Sequence, residues 1–158
     1  MVLTKVIGEM GYNMTDQAII NTVNQMAFSA DIHDWAQCRS TFADEIFVDY
    51  TSMAGGKPAT IPADALIDSW QGLLPGFTAT QHLLGTHIIE VNGDSAVCDA
   101  HFQATHVIDE ESWTLGGRYQ FNLQYSSGVW QITGITMTVL WSAGDQASLL
   151  ARAAERTV

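Results

Sequence analysis

Three side chains that can hold or transfer protons lie in apolar parts of this sequence. Asp31 follows Ala27 by one turn on the apolar stripe of a predicted helix, and His82 lies in an otherwise apolar strand. His106 ends the apolar face of a later strand. A buried carboxylate is costly unless it is paired, and histidine can act as base and then as acid near neutral pH. Together these residues predict proton-transfer chemistry inside a pocket.

The inward direction of His106 follows from the alternation of side chains along residues 95–108. One face of this predicted strand is small and mostly apolar: Ala96, Cys98, Ala100, Phe102, Ala104 and His106. The opposite face is polar: Asp99, His101, Gln103 and Thr105. We therefore expect His106 to point into the protein and His101 to be exposed.

A similar alternation runs through the next strand, residues 113–126. Its apolar face carries Trp113, Leu115, Tyr119, Phe121, Leu123 and Tyr125. Tyr119 and Phe121 are therefore either pocket walls or ordinary core residues, and the pattern alone does not separate the two. Five side chains are predicted to bind substrate: Trp35, Met53, Phe102, Tyr119 and Phe121.

The elements that must position these groups begin with two helices. Residues 1–12 are predicted to be a loose lead-in, and apolar residues recur at helical spacing from Thr15 to about Ala30. Asp34 opens a second helix, with Gln37 three positions later as in a capping box. The apolar residues of that second helix are Trp35, Cys38 and Phe42.

The middle of the chain alternates between short elements. Residues 45–52 (EIFVDYTS) predict a strand, and the glycine- and proline-containing run at 55–58 ends it. Pro62 fits the first turn of a third helix that ends near Gly72.

The second half changes to the two-residue period of strands. Four long strands are predicted, at about 79–91, 95–108, 113–126 and 129–141. Two hairpin-like links favour antiparallel pairing, Asn92-Gly93-Asp94 and Ser126-Ser127-Gly128. Residues 143–156 predict a closing helix. Helices followed by a curled sheet indicate an α+β fold, in a single domain over residues 1–158, with an internal cavity suited to a small ligand.

Composition narrows the function classes. The 158 residues are 47% hydrophobic and 15% charged, as in a globular domain, and the formal net charge of −11 repels nucleic-acid phosphates and acidic membranes. Cys38 and Cys98 form no C-x-x-C pair, and no signal peptide or membrane span is evident. We expect a cytoplasmic protein whose partner is a small organic molecule, with no nucleic-acid or membrane partner.

An ordered series of motifs resembles a known family, the SnoaL-like branch of the NTF2-like superfamily, and within it the scytalone dehydratases. The series spans roughly residues 15–141, with a C-terminal helix beyond. Its members are Asp31-Ile32-His33-Asp34-Trp35, Phe42, Val48-Asp49-Tyr50, Thr80-Gln81-His82, Thr105-His106 and Gly128-Val129-Trp130.

This resemblance implies a cone of curved antiparallel or mixed sheet, wrapped around N-terminal helices, with the active site inside. It implies no metal and no organic cofactor, and a homo-oligomer, either a dimer or a trimer. The catalytic residues it implies are Asp31, His82, His106 and Tyr50. The tyrosine expected before the aspartate is Ala30 here, so the family substrate does not carry over.

The resulting hypothesis is an enzyme, a lyase that dehydrates a small polyketide-like or natural-product-like hydroxy-carbonyl compound. In it, Asp31 orients His106, His106 with His82 moves the proton, and Tyr50 stabilises the developing enolate. Three alternatives remain open: an isomerase or cyclase with the same residues, a non-catalytic binding module, and a metal enzyme with a facial triad.

Overall fold

The computed structural model describes the backbone of residues 2–157 and the side chains of residues 14–157. The helices in this part of the chain are α1 (Val2–Asp31), α2 (Trp35–Ser40), α3 (Thr51–Ala54), α4 (Ala63–Gln71) and α5 (Gln146–Arg156). The strands are β1 (Phe42–Asp49), β2 (Ala59–Pro62), β3 (Ala79–Asn92), β4 (Ser95–Ile108), β5 (Glu111–Ser126) and β6 (Val129–Ala143). A short 3-10 helix, Leu74–Gly76, precedes β3.

Helix α1 packs one apolar stripe against the sheet. The stripe is buried, as its helical spacing predicts: Ile19, Val23, Met26, Ala27 and Ala30. The loose lead-in predicted for residues 1–12 is wrong, because α1 already begins at Val2. No proline interrupts that stretch, so the hydrogen-bonded turns continue through it. At the other end, His33 adopts a positive φ of 59° and the Asp34 amide bonds the Ser29 carbonyl, which ends the helix.

Helix α2 begins as the sequence predicts. The Asp34 carboxylate accepts a hydrogen bond from the backbone amide of Gln37, which confirms the cap. The assignment of Phe42 to this helix is wrong, because α2 ends at Ser40 and Phe42 is the first residue of β1. Phe42 is fully buried there, and pairing with β6 outweighs its helical spacing from Cys38.

Strand β1 ends earlier than predicted, and this places Tyr50. The Asp49 carboxylate accepts hydrogen bonds from the amide and the hydroxyl of Thr51. That local turn starts α3, so Ser52 is helical instead of extended, and Tyr50 is the residue before the helix. Strand β2, which the sequence analysis did not predict, then pairs antiparallel with β1.

The six strands form one curved, mixed and open sheet in the order β2-β1-β6-β5-β4-β3. Strands β3 to β6 are successive antiparallel neighbours, which confirms the prediction from the two hairpin links. Ser127 and Gly128 both have positive φ in the second link, as a tight hairpin turn requires. Strand β1 pairs parallel to β6, and this pair makes the sheet mixed.

The concave side of the sheet holds the core, and α5 covers one end of it. Leu149 and Ala153 of α5 are buried. Gly76 allows this packing, since a Cβ there would lie 1.9 Å from the Ala153 carbonyl oxygen. The predicted closing helix is therefore present, although it begins at residue 146. Among the described residues, no helix combines the length and apolarity that crossing a membrane requires.

Candidate active site

Asp31 is the last residue of α1, where a negative charge is unfavourable because the carbonyl groups at the end of the helix carry partial negative charge. Three hydrogen bonds from β3 offset this repulsion. The Thr80 hydroxyl donates to Oδ1 at 2.8 Å and the His82 amide to Oδ2 at 2.7 Å. The His82 ring nitrogen Nδ1 lies 2.6 Å from Oδ1. A carboxylate held this firmly at the wrong end of a helix indicates a function beyond helix capping.

The Asp31–His82 pair is largely shielded from solvent, with side-chain exposures of 14% for Asp31 and 18% for His82. Burial raises the pKa of Asp31, but the hydrogen bonds from His82 and Thr80 and the charge of His82 outweigh it, so the pKa is lowered from its usual value. Asp31 is therefore an anion at neutral pH. An anion on Nδ1 fixes the ring tautomer and leaves Nε2 as the free base.

His106 occupies a different environment. Its ring stacks on Trp113 with centroids 4.3 Å apart, lies 5.1 Å from Phe77, and is perpendicular to the His82 ring at 5.3 Å. Burial, followed by the neighbouring His82, lowers the pKa of His106 to about 4; a backbone hydrogen bond to Trp113 and the charge of Asp31 only partly oppose this. His106 is therefore neutral at pH 7, and its Nδ1 atom has no hydrogen-bond partner within the described residues.

The hypothesis that Asp31 orients His106 is wrong, because the carboxylate binds His82 instead. The strand order explains this. Strand β3 forms one edge of the sheet, and β4, which carries His106, is the next strand inward. In this register Thr80 pairs with His106, and His82 pairs with Ala104. A short carboxylate at the end of α1 therefore meets the side chains of β3 first.

Both imidazoles open onto an internal cavity of about 110 Å³. Its walls are almost entirely apolar: Met26, Ala27, Ala30, Tyr50, Met53, Trp70, Leu73, Leu74, Phe77, His82, Leu84, Ala104, His106, Trp113, Leu115, Tyr119, Met137 and Leu150. An apolar cavity of roughly 150 Å³ can hold benzene, so this one is on the scale of a single ring. Asp31 is not in the wall, because it lies behind His82.

The predicted substrate-binding residues divide into two groups. Met53 and Tyr119 line the cavity, as does Tyr50. Phe102 and Phe121 are buried behind Tyr119, with ring centroids 4.4 and 5.3 Å from it, and neither lines the cavity. Trp35 is also outside the cavity wall, stacked on His33 at 5.5 Å.

Two contributors to the site received no role from the sequence analysis. Thr80 donates a hydrogen bond to Asp31. Its position two residues before His82 puts both side chains on one face of the strand, and this spacing could have indicated its role from the sequence. Trp113 stacks on His106 because the two are partners in the β4–β5 hairpin, and the register of that hairpin decides which side chains face each other.

Two other histidines, His101 and His87, lie outside the site. His101 is exposed on the convex face, as predicted, and His87 Nε2 lies 3.0 Å from the Asn24 side-chain oxygen. Within the described part of the chain, no three His, Cys, Asp or Glu side chains converge in a way that could hold a metal ion.

The fold and the site define a class: a helix-backed, curved sheet of the NTF2-like type, with a histidine–carboxylate pair at an apolar cavity. Residues 15–136 match the model of the SnoaL-like domain. The scytalone dehydratase arp1 of Aspergillus fumigatus is 33% identical over 129 residues, which cover 73% of this chain and 76% of that protein. The chain therefore belongs to the SnoaL-like family.

Solved structures share this architecture. The Kfla4162 protein from Kribbella flavida superposes with a TM-score of 0.82 at 21% identity, over 89% of this chain and 99% of that one. A hexachlorocyclohexane dehydrochlorinase, LinA type 2, superposes with a TM-score of 0.71 at 13% identity, over 87% of this chain and 93% of that one. The structural likeness confirms the predicted fold, and the family match supports a small-molecule enzyme.

Proposed function

We propose that this protein is a dehydratase acting on a small, neutral hydroxy-carbonyl compound of polyketide or natural-product type, with His82 as the base. The observation that carries the proposal is the 2.6 Å Asp31–His82 pair at the wall of a ring-sized apolar cavity. The class of reaction and substrate is suggested by the scytalone dehydratase relatives of the chain.

The chemistry assigns different tasks to the two histidines. His82, polarised by Asp31, accepts the proton from the carbon next to the carbonyl, and the C–H electron pair moves into an enolate. The β-hydroxyl then departs with that proton as water, and the enolate collapses to the conjugated alkene. Because His106 is neutral, His82 is the group that returns the proton. His106, which lines the cavity, hydrogen-bonds the departing oxygen.

Replacing the base tests this assignment. We expect His82→Gln to lower kcat by about 10²- to 10⁴-fold, the usual contribution of a general base. Asp31→Asn should also lower kcat strongly, because the amide cannot stabilise the imidazolium. Turnover would be measured on a panel of cyclic β-hydroxyketones including scytalone, as loss of one water by mass spectrometry. Exchange of the α-proton in D₂O, followed by NMR, isolates the first step.

Matched controls are available on the surface. His101→Gln removes an exposed histidine of β4, and Asp94→Asn an exposed carboxylate in a hairpin turn. Both should keep wild-type rates. Wild-type α-proton exchange in His82→Gln would refute the proposed base, whereas exchange and rearrangement without loss of water would favour the isomerase alternative.

A further inference from the structure

Thr80 binds the Asp31 carboxylate from the same strand that carries the proposed base. Its hydroxyl donates to Oδ1 at 2.8 Å, and the His82 ring nitrogen Nδ1 lies 2.6 Å from the same oxygen. The other oxygen, Oδ2, accepts a hydrogen bond from the His82 backbone amide at 2.7 Å. One short segment of β3 therefore holds both carboxylate oxygens, and Thr80 is the member of it that takes no part in the proposed reaction.

The register of the sheet also makes Thr80 a neighbour of the second imidazole. Residues 80 and 82 are two apart on β3, so their side chains lie on the same face. Thr80 is the β4 partner of His106, whereas His82 is the partner of Ala104. Cβ atoms of directly opposite residues in an antiparallel pair lie about 4.5–5.5 Å apart. The Thr80 side chain is therefore next to His106 while its hydroxyl binds Asp31.

The hydrogen bonds of Asp31 leave it committed to one of the two rings. A carboxylate oxygen has two lone pairs, and Oδ1 uses one for the Thr80 hydroxyl and one for the His82 ring. Turning the carboxylate toward His106 would break these charge-assisted bonds and the bond to the His82 amide. In agreement with this, Nδ1 of His106 has no hydrogen-bond partner among the described residues.

The Thr80 bond also favours the ionised form of the carboxylate. Burial raises the pKa of Asp31, but the interactions with His82 and the Thr80 hydrogen bond together bring it below its usual value. An ionised Asp31 stabilises the imidazolium that forms on His82 without taking the proton itself.

Covering the edge of the sheet is the alternative role for these contacts. Strand β3 is an edge strand, and the outward backbone groups of such a strand need partners. Asp31 supplies one by accepting the His82 amide. The Thr80 side chain adds no backbone partner, so the edge is covered equally well without its hydroxyl. A role in orienting the carboxylate accounts for the hydroxyl, and a role in covering the edge does not.

We infer that Thr80 is a positioning residue that commits the Asp31 carboxylate to His82 and so selects His82, instead of His106, as the base. The inference rests on the proposed function for the chemistry of that base, and it names the group that decides between the two imidazoles. Thr80 lies with Asp31 along the groove outside His82 and not along the cavity wall, so it acts through Asp31 and not on the substrate.

NMR of ¹⁵N-labelled protein tests the inference without any substrate. In the wild type we expect the neutral His82 ring to carry its proton on Nδ1 in a single tautomer. Thr80→Val keeps the shape of the side chain and removes the hydroxyl, and we expect it to give a mixture of both tautomers. Thr80→Ser, which keeps the hydroxyl, should restore the single tautomer. A wild-type tautomer in Thr80→Val would overturn the inference.

The kinetic consequence is a loss of kcat at nearly constant KM. We expect Thr80→Val to slow α-proton exchange and dehydration by about 10- to 100-fold, as loss of a hydrogen bond to a charged group does. KM should change little, because Thr80 does not line the cavity. Added to His82→Gln, the substitution should cost nothing further, since coupled residues are not additive. Independent, additive losses would contradict a role that acts through His82.

Thr105→Val is the matched control. The Thr105 hydroxyl is also partly buried in a strand, and it lies 3.0 Å from the Thr114 hydroxyl on the opposite face of β4 from His106. This variant should keep the wild-type tautomer and kcat. Thermal unfolding verifies that each variant is folded, and Thr80→Ala replaces Thr80→Val if the buried valine prevents folding.

The outcome is separable from that of the proposed function. Mixed His82 tautomers in Thr80→Val, in a protein that dehydrates no hydroxyketone, would support the positioning role and reject the dehydratase. Dehydration by Thr80→Val with unchanged kcat and an unchanged tautomer would reject the positioning role and leave the dehydratase standing. A lower unfolding temperature as the sole effect would make Thr80 a structural residue and would also overturn the inference.

Discussion

At the residue scale, the two histidines show how environment divides one chemistry into two roles. His82 has a carboxylate at 2.6 Å and becomes a base with a fixed tautomer. His106 has aromatic rings on its faces and an unpaired nitrogen, and stays neutral. The sequence shows two similar histidines in apolar strands, and the prediction that Asp31 orients His106 chose the wrong ring, because the neighbours of each ring are set by the fold.

The lowered pKa of His106 predicts that the stability of the fold depends on pH. Its folded pKa of about 4 lies below the unfolded value of 6.5, so between these pH values the unfolded chain binds more protons. The free energy of unfolding should therefore fall as pH drops from about 6.5 toward 4, by up to about 3 kcal/mol from this group. Urea unfolding of the wild type and His106→Gln at pH 7 and pH 5 measures it.

The variant should show a flatter pH dependence than the wild type between those two points. His101→Gln, which removes an exposed imidazole, should keep the wild-type slope. An identical slope in His106→Gln and the wild type would mean that His106 titrates normally in the folded protein.

At the element scale, α5 completes the cavity, since Leu150 is part of its wall and Leu149 is buried beneath the helix. The helix can approach because residue 76 has no side chain. The sequence predicts the helix from its spacing, but its docking depends on a glycine 77 positions away from Ala153, which no local pattern reveals.

Gly76→Ala should therefore displace α5. A Cβ at this position would lie 1.9 Å from a backbone oxygen that cannot rotate away, and we expect a loss of about 1–3 kcal/mol, as for other overpacked cores. Thermal and urea unfolding measure the loss, and binding of 4-nitrophenol reports on the cavity.

Gly85→Ala is the matched control, because a Cβ there meets no atom within 4 Å. It should leave both stability and binding near wild type. Equal effects of the two substitutions would show that glycine flexibility, and not the contact with α5, is what matters at position 76.

At the scale of the whole molecule, charge is unbalanced. The chain has 17 acidic and 6 basic residues, and three of the arginines are already paired with carboxylates. Arg39 contacts Asp44 and Asp64, and Arg152 and Arg156 contact the β4–β5 hairpin. Most carboxylates therefore repel each other across the surface, which opposes the compact state.

Salt should stabilise this protein. Raising NaCl from about 10 mM to about 150 mM shortens the screening length from roughly 30 Å to 8 Å. We expect the free energy of unfolding in urea to rise by on the order of 1 kcal/mol, since exposed charges interact weakly. A triple variant of exposed carboxylates, Asp94→Asn, Glu110→Gln and Glu155→Gln, should respond less. An equal response would assign the effect to something other than self-repulsion.

The sequence by itself determined the elements and the direction of their side chains. Alternation along β4 and β5 reflects local backbone geometry, so the inward face ending in His106 and the two hairpins could be predicted from spacing. Asp34 as a helix cap is equally local. The boundaries of β1 and α2 were missed, because turn chemistry at Asp49 and pairing with β6 decided them.

Only the tertiary structure decided which groups work together. Asp31 meets His82 because α1 ends over the edge strand β3, and Tyr50 and Tyr119 line one cavity because the sheet is curved. The pKa of His106 is set by burial among residues far away in the chain. Contact and desolvation depend on distances in space, and spacing along the chain fixes those distances only within a single helix or hairpin.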